Sequence, residues 1–170
     1  MSTFQAMGTN WQRLWAHVTL EFQCDHNSIH GPSHWRRVER NGLLVAARSG
    51  AVEAVVRLFA VFHDSRREHD GSDDTHGARG AAYATRFRGM LFDISDEHFE
   101  LFHYACTWHT HGRLSDHPTI GTCWDADRLD LGRVGRKPAA RYMSTEFGRE
   151  LATHGSIETF IRSAGHASAG

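Results

Sequence analysis

The chain has 170 residues, with 19 lysines and arginines against 20 aspartates and glutamates, and its net charge of −1 gives no reason to expect nucleic acid or an anionic membrane as a partner. Its length and its 40% hydrophobic content suit one globular domain with a sizeable core. Three cysteines without Cys-x-x-Cys spacing, no secretory leader pattern and no apolar run of membrane-spanning length lead us to expect a cytoplasmic protein.

The first half of the chain predicts three helices, because apolar residues recur there at three- and four-residue steps. The first helix is predicted over residues 11–22. The second is predicted over about 34–49, with Ser33 as its N-cap and Gly50 as its end. The apolar run 51–62 predicts a third helix that is buried.

The second half repeats this helical pattern. A fourth helix is predicted over residues 75 to about 92, and a fifth over 96–109, where two acidic residues at its start suit the helix dipole. After Pro118 an inward stripe follows: Ile120, Cys123, Asp127, Leu131 and Val134. Ser144 is expected to cap a further helix.

A short helix around residues 157–161 is predicted next, and no alternating strand pattern of useful length interrupts the helices. We therefore predict an all-α protein. It forms a single-domain helical bundle over residues 1–165, with a flexible tail at residues 166–170.

The dipeptide His63-Asp64 ends the third predicted helix and is the first sign of chemistry. An imidazole nitrogen beside a carboxylate oxygen can form half of a mixed site for a divalent metal. A helix cap or a surface pair is the competing interpretation. The 14 histidines of the chain favour the metal.

Other candidates for the same site lie at the ends of predicted helices. His34 lies on an apolar face, where a hydrogen-bonded core histidine is the alternative. Asp127 lies in an inward stripe, where a carboxylate is costly unless it is paired, for example with Arg128, or bound to a metal. His76 and His109 begin and end their helices. This convergence is typical of a metal site in a helical bundle.

The order His34, His63-Asp64, Asp127 resembles the H…HD…D signature of the HD-domain metal-dependent phosphohydrolase superfamily. One departure concerns Arg66 and Arg67, which follow the HD pair where the branch acting on alarmones has Glu-Asp. That branch's substrate is therefore not expected.

The local sequences around these residues are similar as well. Residues 30–38 resemble the H-x-x-x-H-x-x-R-V opening of the family, and residues 126–129 resemble its A-D-x-L closing motif. Residues 105–112 resemble the histidine segment of members that add two ligands between the HD pair and the last aspartate.

The resemblance implies a helical bundle that binds one or two divalent metals. The ligands it implies are His34, His63, Asp64 and Asp127, with His76 and His109 for a second ion and Asp64, the catalytic residue, as the bridge. A metal-activated water would then attack a phosphoester or nucleotide. Mixed imidazole and carboxylate ligands suit Mn, Fe, Co, Ni or Zn better than Mg.

Arg67, Arg128 and His111 are the predicted substrate-binding residues, and His30 and Asp130 are expected to orient ligands or substrate. For the two arginines, surface solvation or pairing with acidic neighbours is the alternative. The expected partner is a small phosphorylated molecule, with no membrane and no nucleic-acid patch; both a monomer and a homodimer fit. A structural or nucleotide-sensing metal protein and a di-iron oxygenase on the same fold are the rival functions.

Overall fold

The computed structural model describes residues 8–167, with side chains up to Arg162. Eight α-helices occur in this part of the chain: α1 (Trp11–Leu20), α2 (Pro32–Ser49), α3 (Glu53–Phe62), α4 (His76–Thr85), α5 (Asp96–Trp108), α6 (Pro118–Arg128), α7 (Glu146–Thr153) and α8 (Ile157–Ala167). Short 3₁₀ turns at Leu131–Val134 and Ala140–Tyr142 join α6 to α7. No strand forms within residues 8–167, so the predicted all-α bundle is confirmed.

Helix α3 lies at the centre of the bundle. From Val55 to Phe62 every residue except Arg57 is buried, because α2, α4, α5 and α6 pack around it. This burial explains why α3 is apolar on nearly all sides rather than along one stripe. None of the described helices is both long and apolar enough to cross a membrane.

A smaller second cluster of buried residues packs α7 against the far end of α2: Val45, Leu129, Met143, Phe147, Leu151, Ala152 and Ile157. The segment before α7 is joined to α6 through the buried carboxylate of Asp125. This carboxylate accepts hydrogen bonds from the backbone N–H groups of Ser144 and Thr145. Burial raises the pKa of Asp125, so these donors compensate a carboxylate that would otherwise be costly to bury.

Two predicted N-caps are wrong by one or two residues. Helix α2 begins at Pro32 with Gly31 in the N-cap position, so Ser33 lies inside the helix. A proline at the first position costs no hydrogen bond there and its backbone angle suits a helix. Thr145, not Ser144, caps α7, since its hydroxyl accepts a hydrogen bond from the N–H of Gly148.

Two predicted helices extend six or more residues beyond their observed ends. Helix α4 ends at Thr85 rather than near Phe92, and the chain turns through Gly89, whose φ is +80°. Helix α6 ends at Arg128, so the inward stripe does not continue as a helix. The prediction for the C-terminus differs too: α8 runs to Ala167, and residues 168–170 of the expected tail lie outside the described residues.

Close approach of α4 to the end of α3 depends on Gly80. A Cβ atom at Gly80 would lie 2.2 Å from the carbonyl oxygen of Phe62, the last residue of α3. Because this contact is with a backbone atom, it cannot be relieved by the rotation of a side chain. The approach places the middle of α4 against the backbone of Phe62 and His63.

We expect Gly80→Ala to lower the free energy of unfolding by about 2 kcal/mol. Overpacking costs roughly 1–3 kcal/mol, or more against backbone, and outweighs a gain of about 1 kcal/mol in helix propensity. Gly132→Ala is the matched control, because a Cβ there would meet nothing within 4 Å. Urea denaturation measures both variants, and equal stabilities would contradict this account of the packing.

Candidate metal centre

Four helix ends meet beside the C-terminus of α3, which leads into His63 and Asp64. His34 comes from the first turn of α2, His76 opens α4, His109 follows α5, and Asp127 lies in the last turn of α6. The structure brings together all the side chains that the sequence predicted as metal ligands: His34, His63, Asp64, His76, His109 and Asp127. All are buried except Asp127, whose side chain is 20% exposed.

Three of these side chains form a first group of donor atoms. The Nε2 atoms of His34 and His63 lie 3.1 Å apart. The Oδ1 atom of Asp127 lies 3.2 Å from Nε2 of His34 and 3.9 Å from Nε2 of His63. The three atoms therefore converge on one point.

A second group forms around the other side of Asp64. The Nε2 atoms of His76 and His109 lie 2.9 Å apart, and Oδ1 of Asp64 lies 2.9 Å and 3.7 Å from them. Gly77 allows this approach, since a Cβ there would lie 2.2 Å from the carbonyl oxygen of Cys106. The small residue after His76 thus admits the backbone of α5.

Asp64 connects the two groups. Its Oδ1 atom faces the second group, while its Oδ2 atom lies 3.5 Å from Nε2 of His34 and 3.6 Å from Nε2 of His63. Its two oxygens therefore face different donor groups, which is the geometry of a bridging carboxylate. The side chain is 3% exposed, so the helix end that carries it is buried.

Hydrogen bonds at the other ring nitrogen fix how each imidazole is presented. Nδ1 of His34 lies 2.7 Å from Oδ2 of Asp130. Nδ1 of His63 lies 3.0 Å from the carbonyl oxygen of Phe59, and Nδ1 of His109 lies 2.7 Å from that of Cys106.

His76 follows the same rule, with Nδ1 against the carbonyl oxygen of Asp73. Since oxygen atoms require a donor at Nδ1, the hydrogen is assigned to Nδ1 in all four rings, and the Nε2 lone pairs converge. Converging lone pairs repel one another unless a cation lies between them. A hydrogen bond at the ring nitrogen that faces away from the ion is the usual support of a metal-binding histidine.

The electrostatics of the centre favour a cation as well. Burial opposes the charged form of Asp64, yet His63 and the other surrounding imidazoles outweigh it and hold the pKa of Asp64 well below its usual value. Burial lowers the pKa of His63 to about 3, so that ring is neutral at pH 7 and able to donate a lone pair. Asp127 is likewise held ionised, because His34 and Arg133 hold its pKa below the usual range despite burial.

One polar atom in the centre lacks a hydrogen bond. The Oδ1 atom of Asp127 is buried and has no partner of adequate hydrogen-bond geometry among the described residues. Such an atom in a native structure calls for an ion or a water. Its position in the first donor group identifies where a cation would satisfy it.

Two further residues orient the ligands. Nδ1 of His30 lies 2.9 Å from Oδ2 of Asp64. Asp130 holds His34 through one oxygen and accepts a 2.7 Å hydrogen bond from Nε of Arg37 through the other. Each contact fixes a side chain that faces the donor groups.

The three predicted substrate-binding residues lie in different settings. Arg67 is buried, and its Nη1 atom lies 3.7 Å from Oδ1 of Asp64. His111 is exposed, with Nε2 3.2 Å from the carbonyl oxygen of Asp74. Arg128 donates hydrogen bonds to three backbone carbonyls, those of Gly112, Arg113 and Tyr142.

Arg133 was not among the residues predicted for the site. Its Nη2 atom lies 3.6 Å from Oδ1 of Asp127, at the edge of the first donor group. An arginine six residues beyond Asp127, in a stretch predicted as a helical stripe, carries no local signal of this position. Only the 3₁₀ turn after α6 brings it back to the centre.

Comparison with known proteins gives one clear likeness at the level of structure. A crystal structure of a predicted HD superfamily hydrolase from an uncultured Thermotogales bacterium matches with a TM-score of 0.68, over 95% of this chain and 92% of that chain, at 23% identity. The chain has the fold of that predicted HD superfamily hydrolase. No family model matches the sequence, and no curated protein matches it.

The donor atoms of this centre suit a divalent ion. With bonds of about 2.1 Å, neighbouring ligand atoms around one ion lie roughly 3 Å apart. The contacts of 2.9, 3.1 and 3.2 Å between donor atoms agree with that spacing. Two groups of buried donors could therefore each hold an ion, and their mixed chemistry suits a transition metal better than Mg.

Proposed function

We propose that the protein is a metal-dependent phosphohydrolase of the HD superfamily that acts on a small phosphoester or nucleotide. The observation that carries this proposal is the position of Asp64, whose two oxygens face two separate groups of imidazole donors. A carboxylate between two such groups is the arrangement expected of a two-metal hydrolytic centre. The HD-superfamily fold supports the same assignment.

In this proposal His34, His63 and Asp127 hold one ion, His76 and His109 hold the other, and Asp64 contacts both. Bound divalent ions supply Lewis acidity, which polarises a phosphoryl oxygen and makes water a stronger acid. The chain's own contribution is to fix the ligands and exclude water, since the histidine ligands are buried.

Substrate would reach the centre from the side of Asp127 and His30, whose side chains are 20% and 14% exposed while Asp64 is 3% exposed. Arg67, His111 and Arg128 stay predictions as substrate-binding residues. Arg128 would first have to release three carbonyl groups. The cysteines are free thiols, which supports the proposal of a reducing, cytoplasmic location.

The test is metal analysis of the purified protein, followed by a panel of phosphoesters and nucleotides assayed with Mn, Co, Ni and Mg. We expect a chelator to abolish hydrolysis and Mn, Co or Ni to restore it better than Mg, because the donors are imidazoles and carboxylates. Full activity after chelation, or no metal in any preparation, would refute the proposal.

The rival functions give different results in the same assay. A protein that retains metal and melts at a lower temperature after chelation, yet hydrolyses nothing in the panel, would be a structural or sensing protein. Oxygen uptake by the iron-loaded protein without phosphate release would indicate a di-iron oxygenase.

A further inference from the structure

Arg133 is held rigidly at the edge of the metal centre. Its Nε atom donates a 3.0 Å hydrogen bond to the carbonyl oxygen of Ile29, just before α2, and its Nη1 atom donates a 3.1 Å hydrogen bond to the carbonyl oxygen of Asp130. The side chain is 10% exposed. These two anchors fix the plane of the guanidinium and leave Nη2 directed toward the side where Asp127 lies.

Arg133 and Asp127 lie within ion-pair distance of each other but do not form a hydrogen bond. Nη2 of Arg133 lies 3.6 Å from Oδ1 of Asp127, beyond hydrogen-bond distance, and that oxygen has no hydrogen-bond partner among the described residues. If Asp127 Oδ1 binds an ion, the hydrogens of Nη2 have no acceptor in that carboxylate. A pre-positioned cation with free donors beside a metal centre is suited to an anionic ligand.

The balance of charge supports the same conclusion. Three carboxylates, Asp64, Asp127 and Asp130, lie in or beside the centre, and three guanidinium groups lie within 4 Å of them: those of Arg37, Arg67 and Arg133. The side chains alone are therefore close to neutral, and each divalent ion adds two positive charges. A loaded centre attracts an anion, and Arg133 is the cation on the more exposed side.

We propose that Arg133 binds a non-bridging oxygen of the substrate's phosphoryl group next to the first donor group. This inference rests on the proposed phosphohydrolase function and assigns the anion contact to a residue of the turn after α6. The contact is with substrate, so loss of Arg133 weakens anion binding while the metal ligands remain in place.

The test compares Arg133→Met with Arg136→Met, which removes the same charge from an exposed side chain in the same segment. Orthophosphate is titrated into each metal-loaded protein by calorimetry, and metal content is measured in parallel. We expect Arg133→Met to weaken phosphate binding at least about tenfold and to raise KM by a similar factor, with metal content unchanged. Arg136→Met should bind phosphate like the parent protein.

Equal phosphate affinity in the two variants would overturn the inference, and so would loss of metal in Arg133→Met, which would make Arg133 a positioning residue for Asp127. If Arg133→Met does not fold, Arg133→Gln decides: it keeps a polar side chain but removes the charge, and an unchanged phosphate affinity would overturn the proposal. Phosphate binding that depends on Arg133 in a protein that hydrolyses no phosphoester would instead refute the proposed function alone.

Discussion

Asp64→Asn is expected to reduce phosphoester hydrolysis by at least about 10³-fold, equivalent to roughly 4 kcal/mol of transition-state stabilisation. The amide keeps the shape of the side chain but has only one oxygen and no charge. It cannot offer an anionic oxygen to both donor groups, which lie on opposite sides of the carboxylate. We therefore expect the variant to hold less metal as well.

The matched control is Asp116→Asn, which makes the same chemical change at an exposed aspartate. Kinetic assays, metal analysis and thermal melting are carried out on both variants. Normal turnover by Asp64→Asn would refute the bridging role. A variant that fails to fold would indicate that the carboxylate and its ions hold the bundle together rather than perform chemistry.

The burial of Asp64 cannot be predicted from the local sequence. An HD pair at a helix end suggests a fraying, exposed terminus, yet α4 and α5 cover the end of α3. The burial of this helix end depends on contacts between distant segments, such as the approach of Gly77 to Cys106. Such contacts cannot be predicted from the local periodicity of the sequence. Substitution by alanine would therefore leave a cavity, which is why asparagine is the better test.

Helix positions could be predicted where local patterns agree with packing. The apolar run of α3 and the left-handed Gly50 that ends α2 are confirmed. The cap of α7 could not be predicted, because Ser144 and Thr145 are both good caps. The choice follows from Asp125 of α6, which accepts hydrogen bonds from both backbone N–H groups and also from the hydroxyl of Thr145.

The candidate site also contains both residues that could be predicted from the sequence and one that could not. His34, His63 and Asp127 could be predicted as candidates because each is a ligand-type residue in a short pattern with a known order, and the structure brings the three together. Arg133 could not, because arginines are common in this chain and its position depends on a turn that brings it to the loop before α2. A residue whose role depends only on tertiary contacts can be identified only from the structure.

Two ions per chain are expected in the metal-loaded protein, and His76→Ala is expected to reduce this to one. The reason is that His76 belongs only to the second donor group, whereas the first group keeps its three donors and Oδ2 of Asp64. Loss of an ion removes several kcal/mol of charge stabilisation, so activity should fall about 10³-fold. His103→Ala, at an exposed histidine, is the control and should keep both ions.

Elemental analysis gives the number of ions, and an anomalous scattering map of a metal-loaded crystal shows where they are. Two peaks are expected, one beside each donor group, with Asp64 in contact with both. His34→Ala should remove the peak beside Asp127 and keep the peak between His76 and His109, because Nε2 of His34 belongs to the first group. A single peak held by His34, His63, Asp64 and Asp127, unchanged by His76→Ala, would show that the protein works with one ion and that the second group only supports the fold.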